Sequence, residues 1–399
     1  MKKLNSKALD YHAFPQPGKL SVSSSKTCDT AEDLSLAYTP GVAEPVLEIV
    51  KDPKNAYRFT NKGNLVAVIT NGTAVLGLGN TGALASKPVM EGKGVLFKKF
   101  ADIDVYDIEI DCEDPDEFIQ TVVNISPTFG GINLEDIAAP ECFYIESELK
   151  KRLSIPVFHD DQHGTAVIVA AGLINALEIQ QKLIEKVKIV FLGAGAAGCS
   201  CARLLKLMGA TDITMVDSKG ILSNDRKNLN QYNQDLAIDT KGKTFNDAIQ
   251  HADVFIGVSG ANLLKDEHVK SMSKKPIIFA LANPDPEMLP SEAHAIRDDI
   301  VMATGRSDFD NQVNNVLGFP FLFKGALEAK AKQINTDMLI AAANALALLA
   351  KEPVPQSVLE AYDVAELNFG PNYIIPKPFD PRLIDWVAKA VKEAYKEDK

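Results

Sequence analysis

Cysteine is scarce in this chain, 5 of 399 residues, and the five are scattered with no CxxC pair. Cys199 and Cys201 lie two apart at the start of an expected helix, a spacing that does not favour a mutual disulfide. An odd, sparse count fits a reducing, cytoplasmic compartment. Long apolar runs are missing too. Thr165 to Leu173 and Met338 to Ala350 are the longest, and both fall short of the ~20 residues that cross a bilayer. The opening MKKLNSKALDYHAF has basic residues but no apolar core, so no secretory leader is expected. Excess positive charge is absent: 42 Lys and Arg face 53 Asp and Glu, a net charge of −11. That argues against nucleic acid as a partner, because phosphate contacts need clustered basic side chains. There is no internal repeat and no low-complexity tract. What remains, 46% hydrophobic and 24% charged residues, is the composition of an ordinary globular protein long enough for two to three domains.

Residues 1–60 are polar and turn-rich. Leu65–Thr70 reads as a strand and Val75–Leu78 as a short second one. A helix is expected over Ser86–Phe100, a strand over Asp104–Ile110, and a helix from Pro115 to Val123 with acids in its first turn. From Lys186 the pattern becomes regular. Val187–Leu192 is the continuous apolar run of a buried parallel strand. A Gly-rich turn, a helix over Ala194–Met208 stopped by Gly209, and a strand at Ile213–Val216 follow. Further strands are expected at Val254–Val258, Ile277–Leu281 and Ile300–Ala303. This alternation predicts a doubly wound sheet. Beyond it, helices are expected at Gly325–Ile334, Thr336–Lys351, Val354–Leu367 and Pro381–Lys396. The fold class is therefore α/β: an N-terminal α/β domain over 1–160, a Rossmann-type parallel sheet over 161–330, and C-terminal helices over 331–399 that pack on both.

Gly193-Ala194-Gly195-Ala196-Ala197-Gly198 matches G-x-G-x-x-G with a strand before it and a helix after it. Gly193 permits the tight turn, Gly195 lets a pyrophosphate approach the backbone, and Gly198 lets the helix pack on the strand. The helix N-terminus supplies unpaired N–H groups for phosphate. Asp217 stands 19 residues beyond Gly198, where a carboxylate holds the adenosine ribose of a dinucleotide. A carboxylate there favours NAD. Ser218 and Lys219 follow at once and could receive a 2′-phosphate, so NAD and NADP both stay open.

Two acidic pairs stand out, Asp160-Asp161 in HDDQHG and Glu135-Asp136 in INLEDI. Either pair alone is accounted for by helix capping. Brought together, such carboxylates would repel unless a cation joined them, and a hard divalent ion, Mg²⁺ or Mn²⁺, suits oxygen ligands. His159 and His163 are softer ligands and are expected to support the site rather than bind the ion.

The motifs LAYTPGVAEP, NGTAVLGLGNTG, VMEGKGVLFKKFADID, INLEDI, VFHDDQHGTA, FLGAGAAG and ALANPDPE run in unbroken order from Tyr38 to about Leu327. Together they resemble malic enzyme in its short bacterial form. The resemblance implies oxidative decarboxylation of L-malate to pyruvate and CO₂ with NAD or NADP and a divalent metal. It implies Tyr38 and Lys93 as catalytic residues, with Lys93 also touching substrate and Asp160 a neighbouring acid that supports catalysis. It implies Glu135, Asp136 and Asp161 as metal ligands, and Asn283, Asn314 and Asn315 on the substrate and nicotinamide side. It further implies a homodimer or a higher homo-oligomer. Lys93 is expected to serve as base with a pKa lowered by burial or a nearby cation, and Tyr38 to protonate C3. Two departures are visible: Ala74 stands where large animal-type members place a carboxylate-binding arginine, and Asn80 where many relatives have aspartate. Competing expectations are another two-domain dehydrogenase, of malolactic or amino-acid type, and a non-catalytic nicotinamide sensor.

Overall fold

Ten strands form two separate sheets in the structure, a computed structural model describing residues 2–396. Met1 and residues 397–399, the outer ends of the first and last expected segments, lie outside the described residues. The first sheet holds β1 (Leu65–Thr70), β2 (Asp104–Glu109), β3 (Gly131–Leu134) and β4 (Val157–His159). All its pairs are parallel, in the order β2-β1-β3-β4. The second holds β5 (Lys188–Leu192), β6 (Asp212–Asp217), β7 (Gly220–Ile221), β8 (Val254–Gly257), β9 (Ile277–Ala280) and β10 (Val301–Thr304). Its order is β10-β9-β8-β5-β6-β7, parallel except for the β6–β7 pair. Strands β1, β8, β9 and β10 are buried along their whole length, which is why they read as unbroken apolar runs rather than alternating ones.

In each sheet the chain leaves its first strand to one side and later returns to the other. Strand order thus reverses between β1 and β3, and again between β5 and β8. Crevices at the carboxyl ends of such reversals are where open α/β sheets bind ligands. The helix Ala83–Ala101 covers the first sheet. Its Phe97 ring meets Phe319 and Phe323 edge-on, at centroid distances of 4.7 and 5.3 Å, and so joins it to the helix Phe319–Glu328. The helix Thr165–Gln180 is buried at 12 of its 16 positions, too many for an amphipathic surface helix. It lies between β9, where Gly172 faces the Phe279 ring, and the helix Thr336–Leu349. Asn175 on this helix donates to the carbonyls of Ala347 and Ile374, both at 2.9 Å.

Several expected elements differ. Val75–Leu78 is a turn rather than a strand: Val75 N donates to Gly79 O at 2.9 Å, while Leu76 and Gly79 take positive φ of 47° and 78°. The helix expected at Gly325–Ile334 is Phe319–Glu328, because Pro320 opens its first turn instead of breaking it. Val354–Leu367 narrows to Gln356–Ala361, stopped by a left-handed Asp363 with φ 52°. Pro381–Lys396 begins as a wide π turn, Ile384–Ala388, and becomes α-helical only over Lys389–Ala394. The turn-rich reading of residues 1–60 missed the helices Lys2–Ala13, Ala31–Ala37, Ala43–Lys51 and Ala56–Phe59.

Candidate active site

A cavity of about 630 Å³ opens where the carboxyl ends of both sheets converge. One wall is built by β3 and β4. Their register pairs Leu134 with His159, so the residues that follow, Glu135-Asp136 and Asp160-Asp161, leave the sheet side by side. Asp136 N donates to Asp161 Oδ2 at 2.9 Å. Asp136 itself takes a left-handed φ of 53°, a turn that non-glycine residues adopt at a cost and that clusters at functional sites. One carboxylate oxygen from each of Glu135, Asp136 and Asp161 falls within 4.8 Å of the others. Burial, and then the charge of Asp161, pushes Asp136 up to about 7. Burial and the three neighbouring acids push Glu135 well above the carboxylate range, although Lys93 opposes them. Asp136 Oδ2 is buried with no hydrogen-bond partner. Crowded, desolvated carboxylates with an orphaned oxygen fit a hard divalent cation, and these three side chains would hold it.

Lys93 comes from the helix over the first sheet and is buried. Its Nζ lies 2.6 Å from Asp160 Oδ2, 2.9 Å from Glu135 Oε1, and 4.2 Å from the centre of the Phe319 ring. The expected lowering of its pKa is overturned. Burial does push it down, but Asp160 and then Glu135 push it up by more, so the ammonium is held far above the usual lysine range. Asp160 also accepts from Asn315 Nδ2 at 3.0 Å, and Thr165 Oγ1 donates to Asn315 Oδ1 at 3.3 Å. Asp160–Gly164 forms a single π turn, a distortion frequent at functional sites. Gly164 is required in it, because a Cβ there would stand 1.9 Å from Asp160 Oδ1.

The opposite wall is the Gly-rich turn. Gly193 has φ +119°, and Gly198 faces Gly193 O so closely that a Cβ would stand 2.0 Å from it. A Cβ on Gly195 would meet nothing within 4 Å; the open space above this backbone fits an approaching pyrophosphate. Gly195, Ala196, Ala197 and Gly198 line the cavity at the start of the helix Ala196–Leu207. Gly193 and Ala194 shape the turn without lining it. Asn283, Asn314 and Asn315 line the floor.

The first family profile to match, "Malic enzyme, N-terminal domain", covers residues 17–150, and a second, "Malic enzyme, NAD binding domain", covers residues 162–363. The NADP-dependent malic enzyme of Halomonas elongata is 59% identical over 97% of this chain and 92% of its own length. This chain belongs to the malic enzyme family. The NADP-dependent malic enzyme of Escherichia coli is 56% identical over 98% of this chain, which spans 52% of that longer protein. A crystal structure of malic enzyme from Pyrococcus horikoshii superposes with a TM-score of 0.89 at 43% identity, covering 98% of this chain and 90% of that one.

Of the residues matched to malic enzyme motifs, the structure brings Lys93, Glu135, Asp136, Asp160, Asp161, Asn283, Asn314 and Asn315 to one cavity. Tyr38 is not among them. It caps the helix Ala31–Ala37 and is 70% exposed. Ala74 lines the cavity, whereas Asn80 is exposed and donates to Glu113 at 3.0 Å. Asp217 ends β6, but Arg226 grips both of its oxygens, at 3.0 and 2.8 Å. Ser218 and Lys219 are exposed beside it.

Sequence reasoning passed over Glu146. This buried carboxylate lies 2.8 Å from His163 Nε2 and 2.8 Å from Lys150 Nζ, and accepts from His159 N at 3.3 Å. Burial raises its pKa, but His163 and Lys150 lower it by more, leaving Glu146 ionised far below the usual range. His163 thus anchors the HDDQHG turn from behind. A helical glutamate 17 residues upstream of a histidine carries no local signal of that contact.

Proposed function

We propose that this chain oxidatively decarboxylates L-malate to pyruvate and CO₂, with reduction of NAD or NADP and with Mg²⁺ or Mn²⁺. The supporting observation is a three-carboxylate corner and a buried lysine on one wall of a cavity whose other wall is a dinucleotide-binding turn. When bound, the cation supplies Lewis acidity at the C2 oxygen of malate, and the nicotinamide supplies a hydride acceptor. Glu135, Asp136 and Asp161 hold the cation; Asn283, Asn314 and Asn315 orient substrate against the nicotinamide. Lys93 moves the C2 hydroxyl proton. In the pairing described it is an ammonium; with Glu135 engaged as a cation ligand it would be freer to act as a base, and Asp160 would be the residue that aims Nζ. Proton transfer of this kind contributes about 10²–10⁴ in rate.

Tyr38, proton donor to C3, reaches the chemistry from a second copy of the chain. Supporting this, the helices Ala31–Ala37, Ala43–Lys51 and Ala56–Phe59 contain no buried residue. They leave Leu34, Leu36, Val46, Leu47 and Val50 between 52% and 74% exposed. Contiguous exposed apolar side chains mark interaction surfaces, and a homodimer or a multiple of it covers them. No helix among the described residues is long and apolar enough to cross a membrane; the enzyme works in the cytoplasm on its small-molecule substrate.

The test is malate with Mn²⁺ and NAD or NADP in turn, following nicotinamide reduction before and after stripping with a chelator. Reduction that disappears with the metal and returns with Mn²⁺ supports the reading. Turnover that survives stripping contradicts it. Lactate formed without net reduction would make it a malolactic enzyme.

A further inference from the structure

Glu287, the last residue of ALANPDPE, is a fully buried acid that does not line the cavity. Its Oε1 accepts from Ser259 N at 3.0 Å and its Oε2 from Ala282 N at 3.1 Å. Both amides lie just past the second sheet. The last ladder bonds on this side run from Val258 N to Leu192 O and from Leu281 N to Gly257 O, each at 2.9 Å, and Ser259 and Ala282 are the next residues out. The Glu287 carboxylate therefore takes the place of a strand and ties the end of β8 to the end of β9.

The fit is close. Gly257, the last residue of β8, must lack a side chain, because a Cβ there would stand 2.4 Å from Glu287 Cδ. The backbone around Glu287 is pinned in turn: its carbonyl accepts from Leu264 N at 3.1 Å, and that of Pro286 accepts from Asn262 N at 3.0 Å. Burial pushes the carboxyl pKa up, opposed by backbone amides, those of Ser259 and Ala282 foremost. Burying a carboxylate costs free energy that an apolar side chain would not, which a space-filling role does not explain. What the acid holds does face the chemistry: Ser259, Ala282 and Asn283 all line the cavity. Because Glu287 binds Ala282 N, the loop between them is closed on itself at the residue that precedes Asn283. Asn283 is then boxed by glycines. A Cβ on Gly77 would stand 3.0 Å from its carbonyl oxygen, and one on Gly305 2.7 Å from its Nδ2.

We propose that Glu287 is a positioning residue for malate oxidation: it locks the ends of β8 and β9 together and thereby sets Asn283 against the substrate and the nicotinamide, touching neither itself. This rests on the reading of the cavity as the malate site with Asn283 on its floor.

Glutamine at position 287 keeps the shape but has one acceptor oxygen, so one of the two amides must face an NH₂ group. The test is steady-state malate oxidation by the full-length protein with saturating Mn²⁺ and nicotinamide nucleotide, using malate with hydrogen or deuterium at C2. Glu287→Gln should lower kcat by about 10-fold or more, the scale of a lost charge-assisted hydrogen bond. It should also raise the deuterium isotope effect, because a displaced floor slows hydride transfer itself. A variant that is merely less stable loses active enzyme and leaves the isotope effect alone. In an Asn283→Ala background the same substitution should cost less than about 3-fold, since the side chain through which it acts is gone. Gly257→Ala pushes the carboxylate aside without removing it, so it should raise the isotope effect too, and it carries the test if Glu287→Gln does not fold. An unchanged isotope effect in either variant, or an equal loss with and without the Asn283 side chain, would overturn the proposal. Absence of malate oxidation in wild type would instead overturn the malate reading beneath it.

Discussion

Lys93 takes its properties from two neighbours rather than from its own type. Removing it leaves Asp160 and Glu135 buried without a counter-charge, so Lys93→Ala should lower malate oxidation by about 10³ or more while nucleotide binding persists. Near-normal turnover with nucleotide bound would dismiss it as the proton carrier. Asp136 gives a pH prediction whose sign is unusual for an acid. Its folded pKa, about 7, lies above the ordinary value of about 4, so between those limits the folded protein binds more protons than the unfolded one. In the metal-free enzyme this contribution is therefore lost as pH rises from about 4 to 7. Thermal melts across that range should show it, Mn²⁺ should counter it, and Asp136→Asn should flatten it. At this scale the sequence was informative wherever a residue belongs to a continuous motif: Lys93, Glu135, Asp136, Asp160 and Asp161 were legible, and they do meet. Glu146 and Arg226 were not. Their meaning lies in contacts made across loops and helices, and each alone looks like a solvated charge. The direction of the Lys93 shift was misjudged for the same reason, since two carboxylates outweigh burial only once the fold sets them within 3 Å.

The elements explain why the site is where it is. A parallel pair, β3 and β4, delivers four acids in register, and the π turn Asp160–Gly164 carries two of them, Asp160 and Asp161, to the cavity. Gly164→Ala should push Asp160 away from Lys93, lowering turnover by about 10-fold or more at a stability cost of about 1–3 kcal/mol; unchanged turnover would mean that the turn has slack the structure does not display. In the buried helix Thr165–Gln180, fully buried Leu173 tests packing alone: Leu173→Ala should cost about 2–5 kcal/mol in denaturant unfolding without altering metal dependence. The long strands of the second sheet were legible because buried parallel strands are unbroken apolar runs, whereas the short β3 and β4 were not among the expected strands. Helix ends were less so, because the signals conflict locally. Pro320 reads as a breaker but opens a helix, and Val75 to Leu78 is apolar enough for a strand until the left-handed Leu76 and Gly79 fold it into a turn.

For the whole molecule, two sheets turn their carboxyl ends to one cleft, and an apolar N-terminal arm is left over. If Tyr38 serves a second copy, a mixture of Tyr38→Phe and Lys93→Ala enzymes should regain activity that neither has alone, because some mixed dimers carry one intact site. Failure to complement, in a mixture shown to exchange subunits, would place Tyr38 in its own chain's cavity or outside the chemistry. Nothing in the sequence pattern told that arm from an ordinary polar leader, since its apolar residues are spaced among charges and only the fold leaves them uncovered. Conversion of malate at a metal corner facing a dinucleotide turn is the central proposal. The most direct measurement is product stoichiometry from malate labelled at C4, with Mn²⁺ and NADP. Labelled CO₂, pyruvate and reduced cofactor are expected in equal amounts, all abolished together by Asp161→Asn. Pyruvate or lactate released without matching cofactor reduction, or full turnover in Asp161→Asn, would contradict it.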